Sequence, residues 1–413
     1  MAVGVILARA LGPAEYGAWA ISLAAATSLG TVAALGLPNL ITRRVAELNS
    51  QQKWDALSST LSRSLRLTAL ASVLIAAVAI AITWISGSHG SLNLALFALA
   101  AAALPFTTLT NAWGASLRGL GHGVLAQSVP TIARPLLLVI GVGAIGLLLP
   151  KGADAELAMG VNLVGAAAAL IATAALYYKL RPAPLAIASR SEKISGLWQE
   201  CMPFMLVSIM GVVGQRVDLF LIGALLDSHA AGLFEVAYRG ADLVLLPLTA
   251  TTAVIAPEFA RRFSLKDHAG LQKLVTQSAR GLVLLSAPIA LLLILAADPI
   301  IRTIFGAEYA AGARTMAVLS GGTLMMLLLG PVHVVLGMVG RSSASAVGAF
   351  VGIALGGCLS ALLIPRLGIE GAAIGRSIGQ WLAAGWLAWF ALRRVGVTTW
   401  ALPVPGRRIG ELS

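Results

Sequence analysis

Residues 151–179 read KGADAELAMGVNLVGAAAALIATAALYYK, and residues 366–394 read RLGIEGAAIGRSIGQWLAAGWLAWFALRR. Each stretch begins and ends with basic residues and is largely apolar between them, over roughly the twenty residues that a helix needs to cross a bilayer. At a shift of 215 positions Gly160 falls on Gly375 and the basic ends coincide. The same shift places Pro150 on Pro365. The chain is therefore an internal repeat of membrane-crossing segments, and this repeat decides the fold.

The composition supports a membrane protein. Of the 413 residues 58% are hydrophobic and 11% charged, with a mean hydropathy of +0.89, whereas soluble domains have roughly 45–50% apolar and 25% charged residues. The apolar runs are unbroken and do not alternate with polar residues as the strands of an outer-membrane barrel do. An open segment in lipid satisfies its backbone hydrogen bonds only as a helix. The sequence predicts an all-α, polytopic membrane protein.

The apolar runs define eleven full spans and a shorter opening fragment. The spans are Tyr16–Ile41, Leu67–Ile85, Leu92–Leu117, Val124–Leu149, Leu157–Tyr178, Met202–Leu226, Ala230–Ala256, Gly281–Ala297, Thr315–Met338, Ala344–Ile364 and Gly371–Leu392. With the fragment as a first crossing, 20 Lys and Arg fall on one side of the membrane and 5 on the other. Cytoplasmic loops carry the excess of basic residues, so we expect twelve crossings with both termini cytoplasmic.

The repeat organises the chain as two six-helix lobes. We expect an N-terminal lobe over 1–180, a cytoplasmic linker over 181–201, a C-terminal lobe over 202–394 and a cytoplasmic tail over 395–413. Because six is even, the lobes should be related by a pseudo-twofold axis along the membrane normal, as in transporters built from parallel repeats. The counterpart of the helix near 198–226 would begin before residue 1, so we expect a truncated first helix. A signal peptide would require a basic n-region, which the opening lacks.

Four stretches carry a resemblance to a known family. They are Ala10-Leu-Gly-Pro-Ala-Glu-Tyr-Gly17, Gly36-Leu-Pro-Asn-Leu-Ile-Thr-Arg-Arg-Val-Ala-Glu47, Leu117-Arg-Gly-Leu-Gly121 and Gln215-Arg-Val-Asp-Leu-Phe-Leu-Ile-Gly223. The chain resembles the bacterial polysaccharide biosynthesis proteins, the O-antigen and exopolysaccharide flippases of the multidrug/oligosaccharidyl-lipid/polysaccharide (MOP) superfamily, which also contains the MATE exporters. The resemblance implies a V-shaped pair of bundles in the bacterial inner membrane.

The resemblance also implies an activity and partners. The substrate would be an undecaprenyl-pyrophosphate-linked oligosaccharide, moved from the cytoplasmic to the outer leaflet by alternating access. Membrane lipids, a polysaccharide polymerase and glycosyltransferases would be the partners. Two alternatives stay open, namely a cation-coupled multidrug exporter of the same fold and a membrane-embedded glycosyltransferase or polymerase. The glycosyltransferase would need larger outer loops than this sequence has.

Charged residues inside apolar spans are the candidate site, because each costs ~2.5–3.5 kcal/mol at the bilayer centre and should face a cavity or a partner. Arg239 follows Glu235 by four residues, and Asp242 follows Arg239 by three. The three therefore share one helix face, beside Tyr238. This polar stripe either lines the transport path or is a self-neutralising ion triplet. The first lobe has no counterpart, since its aligned residues are Ala20, Ala24 and Thr27.

Further intramembrane charges need partners on other helices. Arg216 and Asp218 are two residues apart and point to different sides of their helix. Asp218 with Arg376 and Arg216 with Glu235 are two pairings between which the sequence does not choose. The substrate-path candidates are Arg239, Arg216, Arg134, Arg376 and Tyr238, and the coupling-ion candidates are Glu235, Asp242 and Asp218. These candidates include four arginines and three acidic residues, and this small excess of positive charge suits a pyrophosphate better than a cationic drug.

Arg134 is a candidate because Pro130 and Pro135 flank it, and a distorted helix exposes backbone groups to a cavity. Arg43 and Arg44 are candidates for catching the pyrophosphate at the cytoplasmic surface, although ordinary topological anchoring explains them as well. Glu47, four residues after Arg43, should temper Arg43.

Several other patterns predict no chemistry. Gly141-Val-Gly-Ala-Ile-Gly146 lacks a preceding strand, and Gly375-Arg-Ser-Ile-Gly379 lacks a following histidine, so we interpret both as helix packing rather than a dinucleotide site or a nucleophile elbow. The two cysteines, Cys201 and Cys358, predict packing and no metal centre. The scattered basic residues do not predict nucleic-acid binding. We expect no enzyme activity and no cofactor, with transport coupled to a Na⁺ or H⁺ gradient or to the membrane potential.

Overall fold

The computed structural model describes residues 2–86, 94–148, 154–187 and 197–401, and the regular structure within these ranges is helical. The chain divides into two units, Met1–Arg216 and Val217–Ser413. Lys151, residues 188–196 of the predicted linker and residues 402–413 of the predicted tail lie outside the described residues.

The helices of the first unit follow the predicted spans in order. They are α1 (Ala2–Ala33), α2 (Leu37–Ser50), α3 (Trp54–Ser86), α4 (Leu94–Ala102), α5 (Leu104–Gly119), α6 (Gly123–Ser128), α7 (Arg134–Leu148), α8 (Ala155–Leu180), α9 (Ala183–Ile187) and α10 (Leu197–Leu225), which continues into the second unit. A π-helical turn, Val129–Ala133, joins α6 to α7. This turn confirms the helix distortion predicted from Pro130 and Pro135.

The second unit repeats this order. Its helices are α11 (Ser228–Ala241), α12 (Leu246–Ser264), α13 (His268–Leu295), α14 (Ala297–Ile304), α15 (Ala313–Leu328), α16 (Val332–Met338), α17 (Ser342–Leu367) and α18 (Ile369–Val395). Helices α3 and α13 begin at Trp54 and His268, and α8 and α18 begin at Ala155 and Ile369. Both pairs are offset by 214 positions, one less than the shift of 215 in the sequence repeat.

Seven helices of the described chain are long and apolar enough to cross a membrane, and two bent helix pairs raise the number to as many as nine. Two more helices, α10 with 29 residues and α18 with 27, have the length but fall outside this apolar set. The charges of α18, Glu370, Arg376, Arg393 and Arg394, lower its apolarity. The prediction of twelve crossings stays a prediction.

Among the predicted spans that are not continuous helices, two are broken at a glycine with positive φ. Tyr16–Ile41 is broken between α1 and α2, where Gly36 has φ 70° and Pro38 follows. Thr315–Met338 is broken between α15 and α16, where Gly330 has φ 79° and Pro331 follows. Glycine tolerates positive φ, and proline restricts the residue before it away from helical angles. Each Gly and Pro combination therefore ends a helix inside an apolar run.

The opening stretch is helical and kinks at the Gly-Pro motif. Gly12, within α1, has φ 73° and ψ 170°, and Pro13 starts the next helical turn. Glu15 accepts a hydrogen bond from the backbone N–H of Ala155 at 3.0 Å. Tyr16 is fully buried. The motif thus anchors α1 to the start of α8.

Apolar side chains cover the outer surface of the helices. On α3, Leu70, Leu74 and Ile82 are 70%, 64% and 57% exposed. Contiguous apolar surface of this kind marks contact with lipid or a partner. The exposure agrees with a helix that lies in a membrane.

Glycines let helices approach closely in both units. A methyl group at Gly379 of α18 would lie 2.5 Å from the carbonyl oxygen of Gly352 and 2.6 Å from Cα of Gly356, both on α17. A methyl group at Gly141 of α7 would lie 2.5 Å from a methyl of Val161 on α8. Small residues at such crossings allow backbones to come together. The packing roles predicted for the two glycine motifs agree with these contacts.

Two smaller predictions need correction. Cys201 is buried as predicted, but Cys358 is exposed on α17, so packing does not explain it. The tail predicted from residue 395 begins as a strap, residues 396–401, packed on the second unit. Thr398 donates to Oε1 of Gln272 at 2.7 Å, and its carbonyl accepts from Nε2 of Gln272 at 2.8 Å. Val397 and Thr399 of the strap are buried.

Candidate functional site

A buried ion pair lies at the centre of the second unit. Nη1 of Arg376, on α18, donates to Oδ2 of Asp218, on α10, at 2.6 Å, and the side chains are 11% and 6% exposed. The hydroxyl of Ser360, on α17, donates to Oδ1 of Asp218 at 3.0 Å. The carboxylate therefore ties three helices together. Of the two pairings that the sequence leaves open, the structure shows this one.

Tyr238 holds the same guanidinium from α11. Cζ of Arg376 lies 4.7 Å from the Tyr238 ring centroid, and Nη2 is 3.4 Å from the Tyr238 hydroxyl. Phe234, one turn earlier, stacks parallel to Tyr238 at 6.4 Å. A cation over an aromatic face gains ~0.5–2 kcal/mol. Arg376 is thus fixed by a carboxylate and by a ring.

The predicted stripe is present on α11 and at the turn that follows it. Nε of Arg239 donates to Oε1 of Glu235 at 2.8 Å, and Glu235 is 2% exposed. Helix α11 ends at Ala241, and Asp242 begins a 3₁₀ turn that runs to Leu245. Asp242 is exposed and lies within electrostatic range of Arg376. The backbone N–H of Asp242 still donates to the carbonyl of Tyr238, four residues earlier, so the helical spacing of the predicted stripe holds up to Asp242.

A polar cavity of about 500 Å³ lies in the first unit. Two arginines line it, Arg118 near the end of α5 and Arg134 at the start of α7. The other polar lining residues carry hydroxyl or amide groups and are Thr27, Thr31, Asn39, Thr107, Thr108, Asn111, Ser208 and Gln215. No aspartate or glutamate is among the described residues that line it. The cavity has positive polarity.

Neither cavity arginine is neutralised. Nη2 of Arg134 donates to Oδ1 of Asn162 at 3.0 Å, which is a neutral partner. Within the described residues the half-buried Arg118 makes no side-chain hydrogen bond or ion pair. A partly desolvated guanidinium without a counter-charge is unfavourable unless it meets an anion. This cavity is suited to an anionic ligand.

The N-terminus of α2 adds to this polarity. Its first residues, together with Gly36 before them, form part of the wall, and no side chain caps it. A helix N-terminus carries about half a positive charge on its free N–H groups. The break at Gly36, which ends α1, is what places this helix end at the cavity.

The remaining candidates lie elsewhere. Arg43 and Arg44 are on α2 and are not among the lining residues of the cavity. The expected contact of Glu47 with Arg43 is wrong, since Glu47 lies 3.5 Å from Arg44 instead. Arg43 is exposed, and Arg216 is half-buried on α10.

Arg118 is the residue that the sequence analysis misses. It lies directly after the predicted span Leu92–Leu117, and the structure places it in the last turn of α5. Thr107, Asn111 and Arg118 are spaced four and seven residues apart, which places them on one helix face. That polar stripe is the signal for the cavity wall.

Comparison with known proteins agrees with this architecture. A family model described as polysaccharide biosynthesis protein matches residues 6–313. No curated protein sequence matches the chain.

Among solved structures, an inward-facing multidrug resistance MATE transporter of the MOP superfamily is similar with a TM-score of 0.80 at 15% identity, covering 95% of this chain and 93% of that one. The lipid II flippase MurJ in an inward closed conformation is similar with a TM-score of 0.75 at 14% identity, covering 96% and 84%. A MOP superfamily transporter from Pyrococcus furiosus, whose binding pocket is described as having reverse polarity, is similar with a TM-score of 0.64 at 14% identity, covering 96% and 91%. At these identities the likeness shows the fold alone, which this chain shares with the three solved structures.

Proposed function

The chain belongs to the polysaccharide biosynthesis protein family, and from this membership we propose that it flips an oligosaccharide linked to undecaprenyl pyrophosphate. The direction would be from the cytoplasmic to the outer leaflet, by alternating access in the bacterial inner membrane with both termini cytoplasmic. The activity would serve O-antigen or exopolysaccharide synthesis, together with a polymerase and glycosyltransferases.

The observation that carries the proposal is the pair of unneutralised arginines in the first-unit cavity. Arg118 and Arg134 supply two full positive charges to a space without a described acidic lining residue. Guanidinium groups match phosphate oxygens with paired hydrogen bonds. A pyrophosphate would neutralise both, whereas a cationic drug would add to the positive charge.

The neutral lining groups fit the sugar part of the substrate. Thr27, Thr31, Asn39, Asn111 and Gln215 offer donors and acceptors that hydroxyl groups pair with. A volume of about 500 Å³ lies within the usual range of small-molecule sites. We assign the cavity to the pyrophosphate and the first sugars, with the lipid tail outside it.

The charges of the second unit receive different roles in this proposal. Arg376 is occupied by Asp218 and Tyr238, so it would shape the path rather than hold substrate. Arg239, and Arg216 at the end of the first unit, would meet the substrate. Glu235, Asp218 and Asp242 are the carboxylates that would respond to a coupling H⁺ or Na⁺.

Arg43 and Arg44 would attract the pyrophosphate headgroup before entry. Both lie on α2, the helix whose N-terminus forms part of the cavity wall. Arg44 has Glu47 beside it, so Arg43 would be the stronger attractor of the two.

The experiment compares the wild-type chain with a double variant that carries both Arg118→Gln and Arg134→Gln. Each is expressed in a strain that lacks the native gene. The sidedness of lipid-linked oligosaccharide is measured by its accessibility on each face of the inner membrane. Each lost charged hydrogen bond is worth ~1.5–3 kcal/mol, so translocation should fall about ten-fold or more. Lys273→Gln, which removes an exposed charge from α13, is the control and should leave translocation unchanged. Wild-type translocation by the double variant would refute the assignment.

The second candidate is a cation-coupled multidrug exporter. The buried carboxylates of Asp218 and Glu235 favour it, since such groups bind cations, and the fold is shared with MATE transporters. In the same deletion strain, drug hypersensitivity with normal oligosaccharide sidedness would favour the exporter. Oligosaccharide trapped on the cytoplasmic face would favour the flippase.

A further inference from the structure

A second polar pocket, of about 220 Å³, lies in the first unit and shares no described lining residue with the first-unit cavity. Seven of its lining residues carry polar or aromatic groups, and they are Ser58, Ser62, Arg66, Trp113, Tyr177, Tyr178 and Arg181. None of the described lining residues is acidic. We infer that this pocket binds the phosphate of an anionic phospholipid headgroup.

The charge of the pocket comes from two guanidinium groups. Within the described residues neither Arg66 nor Arg181 forms an ion pair. Arg181 follows the last turn of α8, whose C-terminal carbonyls carry about half a negative charge. Two full positive charges outweigh it, so the pocket attracts an anion and disfavours a zwitterion that brings its own ammonium group.

Aromatic rings fix one of these groups in place. Cζ of Arg181 lies 4.9 Å from the Tyr178 ring centroid, and Tyr178 packs on Trp113 at 5.6 Å. Tyr and Trp concentrate where membrane meets water, because one part of each ring system is apolar and the other is polar. The guanidinium is therefore held against rings of the kind that concentrate at the lipid headgroups.

The face of α3 continues from the pocket into lipid. Ser58, Ser62 and Arg66 recur every four residues, and Leu70 and Leu74 continue this spacing; the row turns about 40° around the helix axis at each step, so Leu74 lies about 80° from Arg66. Both leucines are more than 60% exposed. A phosphate seated on the serines and Arg66 would thus have its acyl chains along an apolar helix face, which a free phosphate compound would not use.

The test measures lipid binding to the purified full chain by native mass spectrometry. The probes are phosphatidylglycerol and phosphatidylcholine with identical acyl chains. We expect the wild-type chain to retain phosphatidylglycerol about ten-fold more strongly than phosphatidylcholine. A double variant that carries both Arg66→Gln and Arg181→Gln should lose this preference. The matched control of Lys53→Gln with Lys273→Gln removes two exposed charges and should keep it.

Each other outcome is decisive. Equal retention of phosphatidylglycerol by the double arginine variant and the wild type would overturn the proposal. Displacement of the lipid by excess inorganic phosphate would overturn the lipid assignment in favour of a free phosphate compound. If the double variant does not fold, Ser62→Asp places a negative charge in the pocket and should remove the preference instead. Because the readout is binding and not transport, failure here leaves the proposed flippase activity untouched.

Discussion

Replacing Asp218 with alanine should destabilise the second unit strongly. The substitution removes the 2.6 Å contact to Arg376 and the 3.0 Å contact from Ser360, and it leaves a guanidinium that is 11% exposed without its counter-charge. Breaking a buried pair in this way costs ~3–5 kcal/mol. The ring of Tyr238 stays over Arg376 and offsets part of this cost, so we expect the lower end, about 3 kcal/mol.

The assay is unfolding of the purified chain in detergent, followed by tryptophan fluorescence, for both single variants and the double variant with Arg376→Ala. The double-mutant cycle should give a coupling energy of ~1–3 kcal/mol. The control is Asp298→Ala, which breaks a pair of nearly equal length, 2.7 Å to Arg302, whose side chains are both 52% exposed. Exposed pairs contribute ~0–1 kcal/mol. Additive single effects, or equal losses at Asp218 and Asp298, would refute the reasoning.

Three further predictions address packing, the strap and transport. Gly379→Ala should lower the free energy of unfolding by ~1–3 kcal/mol, measured by thermal unfolding, because the added methyl group meets the backbone of α17. The control Gly385→Ala adds a methyl group that meets nothing within 4 Å and should be close to neutral. An equal loss of stability in both variants would contradict this prediction. Gln272→Ala should cost ~1–3 kcal/mol, since two buried contacts to Thr398 are lost, and an unchanged midpoint would argue against the strap. Arg239→Ala should reduce translocation at unchanged membrane abundance, checked by immunoblot; wild-type transport would remove the α11 stripe from the mechanism.

The sequence predicts the helical class and the repeat because both follow from hydropathy and residue spacing along the chain. Twenty apolar residues in a row require a helix in lipid, and the offset between the halves survives in the starts of α3 and α13. The Glu235 and Arg239 contact also follows from spacing alone, since residues four apart meet on any helix.

The helix breaks need more than hydropathy. Gly330 and Pro331 lie inside an apolar run, and a hydropathy reading passes through them. The backbone conformation ends the helix there, since φ is 79° at Gly330, an angle that glycine adopts readily. The same applies at Gly36, and that break creates one wall of the first-unit cavity.

Contacts between distant segments are what the sequence leaves open. Asp218 and Arg376 are 158 positions apart, and only the packing of α10, α17 and α18 brings them together. Arg118 is similar: its position at the end of an apolar run suits a loop anchor, and only the neighbouring helices make it part of a cavity.

The strap of residues 396–401 has a practical consequence for anyone who shortens or fuses the chain. Ala401 donates its N–H to the carbonyl of Leu328, at the end of α15, and accepts from Nε of Arg280. Cutting directly after α18 would uncover that carbonyl and the apolar cluster of Phe259, Leu271, Val275 and Val335 that packs on Val397. A reporter or affinity tag is therefore best joined downstream of Ala401, so that these contacts are kept.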